Sequence, residues 1–529
     1  MPAPQSPQSP GHSIREGVET IVFVTVLVLM LRSFVAEAFV IPTGSMAETL
    51  LGYRKFVTCH DCGFTFPVNA TDEVEPQHGN IQPVEACTCP NCFYHEVWPQ
   101  GEGAPSWGSG DRVLVSKSPF HGYLRWDVVV FKYPREPQKG YVPQNYIKRL
   151  IGLPGETIAI FNGDLYLATE PIDYPPDQFT PSLKAVDRWE PSNMFLNAAP
   201  ALEAFRMGHF KILRKPPAEI LSMRRIVFDN DHQPTQLRGV VPPRWQGDGW
   251  KPTQENQPTE FTANSTGTDE HWLRYRHLVA EHGPGRAAPH QPVTPDFIRN
   301  MSGYNMGEPG RAGGREEENK FWVGDLILEC TVDVGAKGEF LMELSKGSDR
   351  FQARFNLEKG ECRLVRRGPV SSDELAHKPV KWDAAKPHGI RFANVDDQLT
   401  VWIDDELTFG DGVGYDEDSS GRRSEPHEVN DREPASIGVV GNATVKVSHI
   451  KLYRDTYYTG MVNNGFVAQE TKVATRYVQP GHFLCLGDNS TQSSDGRDWG
   501  LVPERLMLGR AKMVYFPFPP FGDRVGPIR

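Results

Sequence analysis

The sequence predicts a mainly β protein: an N-terminal transmembrane helix, an antiparallel β domain, and, inserted in that domain, a small two-knuckle module and a jelly-roll β-sandwich. Three observations carry this expectation. An apolar run, Thr20 to Leu31, stands near the start of the chain. Two Cys-x-x-Cys turns, at Cys59 and Cys62 and again at Cys89 and Cys92, come soon after it. From Asp325 to Tyr453, short runs rich in β-branched and aromatic residues alternate with turn formers, as serial hairpins do.

At 529 residues the chain is long enough for about three or four cores. A net charge of -11, with no block of lysines and arginines, speaks against nucleic acid as a partner. After a tail over 1–16, residues 17–39 read as the membrane helix. Thr20 to Leu31 is uncharged but shorter than the roughly 20 residues that span a bilayer. Extension from Gly17 to Ala36 reaches that length by admitting Glu19 and Arg32 near the ends, where long side chains reach the headgroups. A cleavable leader ending at Ala36-Glu37-Ala38 and a buried core helix are the rival readings. Arg15 and Arg32 flank the run on opposite sides and leave its orientation open.

A serine and a lysine then stand in unusual surroundings. In Ile41-Pro42-Thr43-Gly44-Ser45-Met46, one neighbour fixes φ and another frees it, which suits a turn presenting a hydroxyl together with its own backbone N–H. In Tyr146-Ile147-Lys148-Arg149-Leu150, strand alternation places Lys148 on one face with Tyr146 and Leu150, among apolar groups. Burial there depresses an amine towards neutrality, and a neutral amine is a base strong enough to activate a serine.

The segment 59–106 holds Cys59-His60-Asp61-Cys62 and Cys87-Thr88-Cys89-Pro90-Asn91-Cys92. Each tight turn brings two thiolates to one side of a tetrahedral ion, so Cys59, Cys62, Cys89 and Cys92 form the best ligand set for a structural zinc. His60 and Cys87 are spare candidates, and disulfides are the alternative. Cys330, Cys362 and Cys485 sit singly in apolar strands as free thiols.

The second insertion divides in two. Residues 168–320, rich in proline, glycine and charge, read as loops and linkers, notably Gly283 to Pro295 and Gly307 to Glu318. Residues 321–458 carry the strands: 325–332, 339–344, 350–355, a hairpin over 390–403 turning at Asp396-Asp397, and a last strand whose parity slips near Ser448-His449 and predicts a bulge there. Trp402 falls on the outward parity, open to sugar stacking or to packing. The acidic loop from Asp416 to Asp431 could hold calcium or stay solvated. The proline-broken run Phe516 to Phe521 reads as a surface segment.

The serine and lysine phrases, with Gly110-Asp111-Arg112 through Lys117 and Leu486-Gly487-Asp488-Asn489 through Ser493, Asp495, Arg497 and Trp499 to Ala511, resemble bacterial type I signal peptidases in kind and order. The resemblance covers about 17–58, 107–167 and 466–529, and the catalytic domain is expected over 40–58, 107–167 and 466–529. It implies Ser45 as nucleophile, Lys148 as general base, and an oxyanion hole from the Ser45 N–H and the Thr43 hydroxyl, where the family often has serine. It also implies Ser493 as the residue that orients the lysine, Asp488, Asn489, Asp495 and Arg497 as supports, and Phe39, Ile41, Pro42, Met46, Leu50, Tyr146 and Ile147 along shallow substrate pockets. Signal peptides of exported proteins, cut after Ala-x-Ala-type sequences, are the implied substrates, and no cofactor is needed. The implied place is the cell membrane, with the catalytic domain on its exocytoplasmic side. The run from Asp325 to Tyr453 is similar to concanavalin- and laminin-G-like sandwiches, which admits a glycan or protein ligand. An inactive membrane-displayed glycan- or peptide-binding protein, and a self-cleaving repressor of the same chemistry, are the competing readings.

Overall fold

The computed structural model describes residues 10–30, 35–76, 80–117, 122–133, 144–174, 197–235, 243–255, 258–279, 294–307, 320–415, 425–460, 473–517 and 524–528. The expected loops over 283–293 and 308–318, the acidic loop over 416–424 and the closing run over 518–521 lie outside them.

The N-terminal expectation is corrected. The helix runs Pro10–Met30, not 17–39, and among the described residues no helix is long and apolar enough to cross a membrane. Its first third is polar, and the apolar remainder rises only about 1.5 Å per residue, too little to cover a hydrocarbon core of roughly 30 Å. Residues assigned to the end of that helix form the strand Ala36–Val40 instead, paired antiparallel with Arg112–Ser116. Cross-strand bonding from 74 and 72 residues away, at Phe39 with Val113 and Val40 with Arg112, lies beyond any local pattern.

An eight-stranded antiparallel sheet carries the residues of interest. Its order is Ala36–Val40, Arg112–Ser116, Met507–Phe516, Val128–Lys132, Asn145–Gly152, His482–Leu486 and Val502–Pro503, with Gly526–Pro527 added on Met507–Phe516. The sheet is covered on both faces. Val128 and Val130 enter one core with Ile41, Met46, Leu50 and Val113, while Val129 and Phe131 enter another with Leu150, Cys485 and Trp499. That two-sided burial explains why Val128-Val129-Val130-Phe131 is an unbroken apolar run. A four-stranded sheet lies alongside, ordered Phe210–Ile212, Asp164–Ala168, Thr157–Phe161 and Ala474–Tyr477.

The knuckle segment forms two small sheets, Thr65–Asn69 with Arg54–Thr58 and Trp107–Gly108, and Ala86–Thr88 with His95–Val97. The sandwich has a nine-stranded and a seven-stranded antiparallel sheet closed over one core, with Leu328, Val332, Phe392 and Val401 from the first meeting Phe340, Met342, Phe351 and Ile437 from the second. The expected strands appear as Leu326–Val334, Glu339–Lys346 and Asp349–Asn356, and Asp396 and Asp397 both take positive φ in the hairpin turn. The register slips between Glu329 and Thr331 opposite Lys451 and Ser448, and His449 has φ +50, so the bulge falls where parity placed it.

One further expectation gives way. Residues 168–320 are not linker throughout: Arg225–Asp229, Trp250–Pro252 and Phe261–Asn264 join the nine-stranded sheet, and Trp245–Gln246 and His271–Tyr275 join the other. Their short, tryptophan-containing runs have edge partners supplied by Thr444–Arg454 and Ala435–Val440, which no local signal announces. Of the two roles left open for Trp402, the structure shows packing. The residue is 3% exposed and packs with Ile220, Ile327, Ala393 and Val395, because the helix Pro217–Met223 covers that face of the sheet.

Buried ion pairs brace the sandwich and tie it to the segment that follows Phe210–Ile212 of the four-stranded sheet. Lys215 Nζ meets Asp396 and Asp455 at 2.8 Å each, and Lys346 Nζ meets Asp325 at 2.6 Å and Asp397 at 3.0 Å. Burial opposes the charge on Lys215, but its two carboxylate partners outweigh burial and hold the amine above its usual range. A cavity of about 390 Å³ lies at this junction, lined by Asn162, Asp325, Lys346, Asp397 and Asp455. Neither Ser45 nor Lys148 borders it.

Candidate active site

Lys148 is placed by the centre of Asn145–Gly152. Opposite Val129 in register, it points into the face shared with Tyr146, Leu150, Phe131 and Cys485. Its side chain is 2% exposed, with Nζ 5.5 Å from the centre of the Tyr146 ring. Burial lowers its pKa to about 8, against the pull of the Asp495, Cys485 and Asp488 side chains and with a smaller push from Arg497. Lys148 Nζ lies 2.5 Å from Ser45 Oγ. A buried amine of near-neutral pKa, in contact with a serine hydroxyl, can take the proton that makes the oxygen nucleophilic.

Ser45 sits in a turn held at its carbonyls. Its own carbonyl accepts from the Asn489 N–H at 3.1 Å, and that of Gly44 accepts from Asn489 Nδ2 at 2.9 Å. The Ala47 carbonyl accepts from Arg225 Nη2 at 2.6 Å, and the same guanidinium reaches the Asp488 carbonyl at 3.1 Å. With the carbonyls occupied, the Ser45 N–H and the Thr43 hydroxyl have no hydrogen-bond partner among the described residues. Those two groups are the pair expected for an oxyanion hole.

Around the dyad stand two bidentate ion pairs. Arg149 donates to Asp488 through Nε at 2.8 Å and Nη2 at 2.7 Å, with both side chains fully buried. Arg497 donates to Asp495 at 2.9 and 2.7 Å, and Asp495 also accepts from the Gly487 N–H at 2.8 Å. Burial opposes charge on Asp495, but Arg497 and the Gly487 N–H outweigh it and hold the carboxyl below its usual range. A guanidinium remains ionised under any ordinary condition, so both supports persist while Lys148 changes charge.

The expected roles are met unequally. Asp488, Asn489, Asp495 and Arg497 all surround the dyad. Ser493 does not hydrogen-bond Lys148: its Oγ is buried without a partner among the described residues and packs on Gly487, where a Cβ would come within 2.1 Å of it. Met46 and Leu50 are fully buried in the core with Val113 and line no open pocket, and Ile41 is nearly so. Their helical-turn spacing after Ser45 turns them inward. Phe39, Tyr146 and Ile147 stay partly exposed, and Pro42 is exposed.

The four expected cysteines come together, their Sγ atoms all within 4.8 Å of one another. The spare candidates stay out: His60 Nδ1 pairs with Glu96 at 2.7 Å, and Cys87 is buried apart from the group. Cys330, Cys362 and Cys485 are buried free thiols.

Four residues were given no role by sequence reasoning. Asp111 accepts from the Leu51 N–H and pairs with Arg54 and Arg524, bracing the segment after the serine. Arg149 was visible only as a second cation beside Lys148 in an apolar strand. Arg225 and Asn305 come from the large insertion, and nothing near them in the sequence points to Ser45.

The signal peptidase, peptidase S26, family model matches residues 93–203 and 416–516, which include Lys148, Ser493, Asp495 and Arg497 but not Ser45. The chain is similar to S26 signal peptidases. It is 26% identical to signal peptidase I of Rickettsia bellii over 29% of this chain and 40% of that protein, so it spans less than half of that relative. It is 27% identical to the probable signal peptidase I-1 of Synechocystis sp. over 34% of this chain and 67% of that one, and 27% identical to signal peptidase I of Leptolyngbya laminosa over 37% and 74%. Among solved structures, a carbohydrate-binding module, CBM66, from Bacillus subtilis aligns at 10% identity over 40% of this chain and 94% of its own, with TM-score 0.24. A Caenorhabditis elegans galectin, LEC-6, aligns at 10% identity over 24% and 83%, with TM-score 0.17.

Proposed function

We propose that this protein is a Ser-Lys endopeptidase that removes signal peptides from exported proteins, with Ser45 as nucleophile and Lys148 as general base. The single observation that carries this reading is the 2.5 Å contact between Lys148 Nζ and Ser45 Oγ in a water-poor setting. The similarity to S26 signal peptidases supports it.

Neutral Lys148 takes the Ser45 proton as Oγ attacks the scissile carbonyl. The oxyanion is met by the Ser45 N–H and the Thr43 hydroxyl, each such donor contributing about 3 kcal/mol to transition-state stabilisation. The ammonium then protonates the departing amine, and the same lysine activates water to release the acyl-enzyme. No metal or cofactor enters these steps. The peptide lies extended along the free edge of Ala36–Val40, so backbone bonding supplies affinity. Phe39, Tyr146 and Ile147 limit the neighbouring side chains to small residues of the Ala-x-Ala kind. Work at the exocytoplasmic face of the cell membrane belongs to the same proposal.

Ser45→Ala and Lys148→Ala are each expected to abolish cleavage of an Ala-x-Ala leader, read as the new N-terminus of a model preprotein, while the circular dichroism spectrum is unchanged. The double variant is expected to be no worse than either single one, since the two act as a unit. Full activity in either single variant overturns the assignment.

A further inference from the structure

We propose that Cys59, Cys62, Cys89 and Cys92 hold one zinc ion, and that this ion positions the turn carrying Ser45 through contacts supplied by the large insertion. The positioning half rests on the peptidase reading; the metal half does not.

The metal half stands on geometry. Cys59 and Cys92 Sγ are 3.5 Å apart, and Cys62 and Cys89 Sγ are 3.7 Å apart. A tetrahedron with zinc–sulfur bonds of about 2.3 Å has edges of about 3.8 Å, whereas a disulfide needs about 2.05 Å. The two knuckles share one backbone pattern. The N–H groups of Gly63 and Phe93 donate to the carbonyls of Cys59 and Cys89, and the cysteines' own N–H groups donate to Phe64 and Tyr94, all at 2.9 Å. Both Gly63 and Phe93 take positive φ, so Phe93 accepts a backbone conformation that normally favours glycine in order to close the same turn. Asn91 Nδ2 donates to Cys62 Sγ at 3.5 Å, a bond that favours thiolate. Four protein donors close the coordination sphere, so the ion is structural.

Two routes lead from the second knuckle to Ser45. Pro90 lies against Gly303, where a Cβ would meet its Cδ at 2.7 Å. The turn Gly303–Gly307 then presents Tyr304, whose ring lies so close over Gly44 that a Cβ there would fall 2.3 Å from it. The same turn presents Asn305, which exchanges two amide bonds of 2.8 and 2.7 Å with Asn489, the residue that holds the Gly44 and Ser45 carbonyls. On the second route, Asn91 accepts from the Asp229 N–H at 2.6 Å and donates to the His232 carbonyl at 2.9 Å. Asp229 ends the strand Arg225–Asp229, whose Arg225 holds Ala47. Asn91, Asn305 and Arg225 are positioning residues.

The test uses the full chain purified without chelator. Elemental analysis is expected to give about one zinc per chain, and four thiols are expected to react with an alkylating reagent only after a strong chelator is added. Cobalt(II) in place of zinc is expected to give a thiolate-to-metal charge-transfer band. Less than about a fifth of a zinc per chain, with two disulfides found by mass spectrometry, overturns the metal site whatever the activity. Asn305→Ala is expected to keep its zinc and its KM within about twofold while kcat falls roughly tenfold to hundredfold, the cost of a misplaced reacting group. An unchanged kcat in zinc-loaded Asn305→Ala overturns the positioning half. If wild-type, zinc-loaded protein cleaves no leader, the peptidase reading fails and the positioning half with it, while the metal half is judged on its stoichiometry alone.

Discussion

At the scale of single residues, Lys148 has opposite effects on catalysis and on stability. Its pKa of about 8, lowered by burial, means that kcat/KM is expected to rise with pH through about 8 and level off above it, as the amine loses its proton. In stability the sign follows from which state binds the proton. Between about 8 and the ordinary 10.5 the unfolded lysine is protonated and the folded one is not, so stability rises with pH across that window. Below it, the burial of an ammonium costs about 3 kcal/mol, from the size of the depression. Lys148→Met is therefore expected to be inactive yet harder to unfold in urea at pH 7, with its advantage shrinking towards pH 10.5. An advantage independent of pH would show that the amine is not desolvated. The turn at Ser45 and the buried strand face of Lys148 were legible in the sequence because turn chemistry and strand parity are local properties. That the Ser493 hydroxyl finds no partner among the described residues was not, since whether Oγ meets the amine depends on how strands distant in sequence pack.

At the scale of elements, the turn after His482–Leu486 leaves no room for a side chain. Gly487 lies so close to the Ser45 carbonyl that a Cβ would stand 2.5 Å from it, and 2.1 Å from Ser493 Oγ. Gly487→Ala must push backbone at Ser45 and so move Oγ from Lys148. Activity is expected to fall about a hundredfold with the fold retained, read as kcat/KM beside an unchanged near-ultraviolet spectrum. The strands of the sandwich were readable from alternation, hairpin turn and bulge alike. Ala36–Val40 was not: Phe39 and Val40 continue an apolar run, and only pairing with Val113 and Arg112 makes them strand. For Trp402 the sequence left stacking and packing both open for a related reason. Parity tells which residues share a face but not which face another element covers, and Pro217–Met223 covers this one.

At the scale of the whole molecule, the insertion is part of the site's scaffold. Lys215, placed in that insertion, pairs with Asp396 and Asp455, and both carboxylates are buried. Lys215→Met leaves two buried carboxylates without their counter-ion, and it is expected to destabilise by about 3–5 kcal/mol at neutral pH. Burial already lifts the Asp396 carboxyl to about 6 against the pull of Lys215, and removing that amine lifts it further, so the loss is expected to ease as pH falls and the acid takes a proton. Denaturant midpoints at pH 7.5 and pH 5 check both statements. Residues 168–320 of the insertion were read from composition as loops and linkers because proline and glycine are abundant there. Arg225 and Asn305 show why that reading failed: they act across 178 and 184 residues of sequence, on Ala47 and Asn489.

Synthesis proceeds from the N-terminus, and the groups that hold Ser45 in place are spread to the far end of the chain. The hydroxyl leaves the ribosome early, Lys148 about a hundred residues later, and Asn489 and Asp495 only near the finish. At about 5–20 residues per second, some tens of seconds separate the lysine from the last supports. On the peptidase reading, cleavage waits until the segment 487–497 has been made, a delay written into the order of the chain's residues.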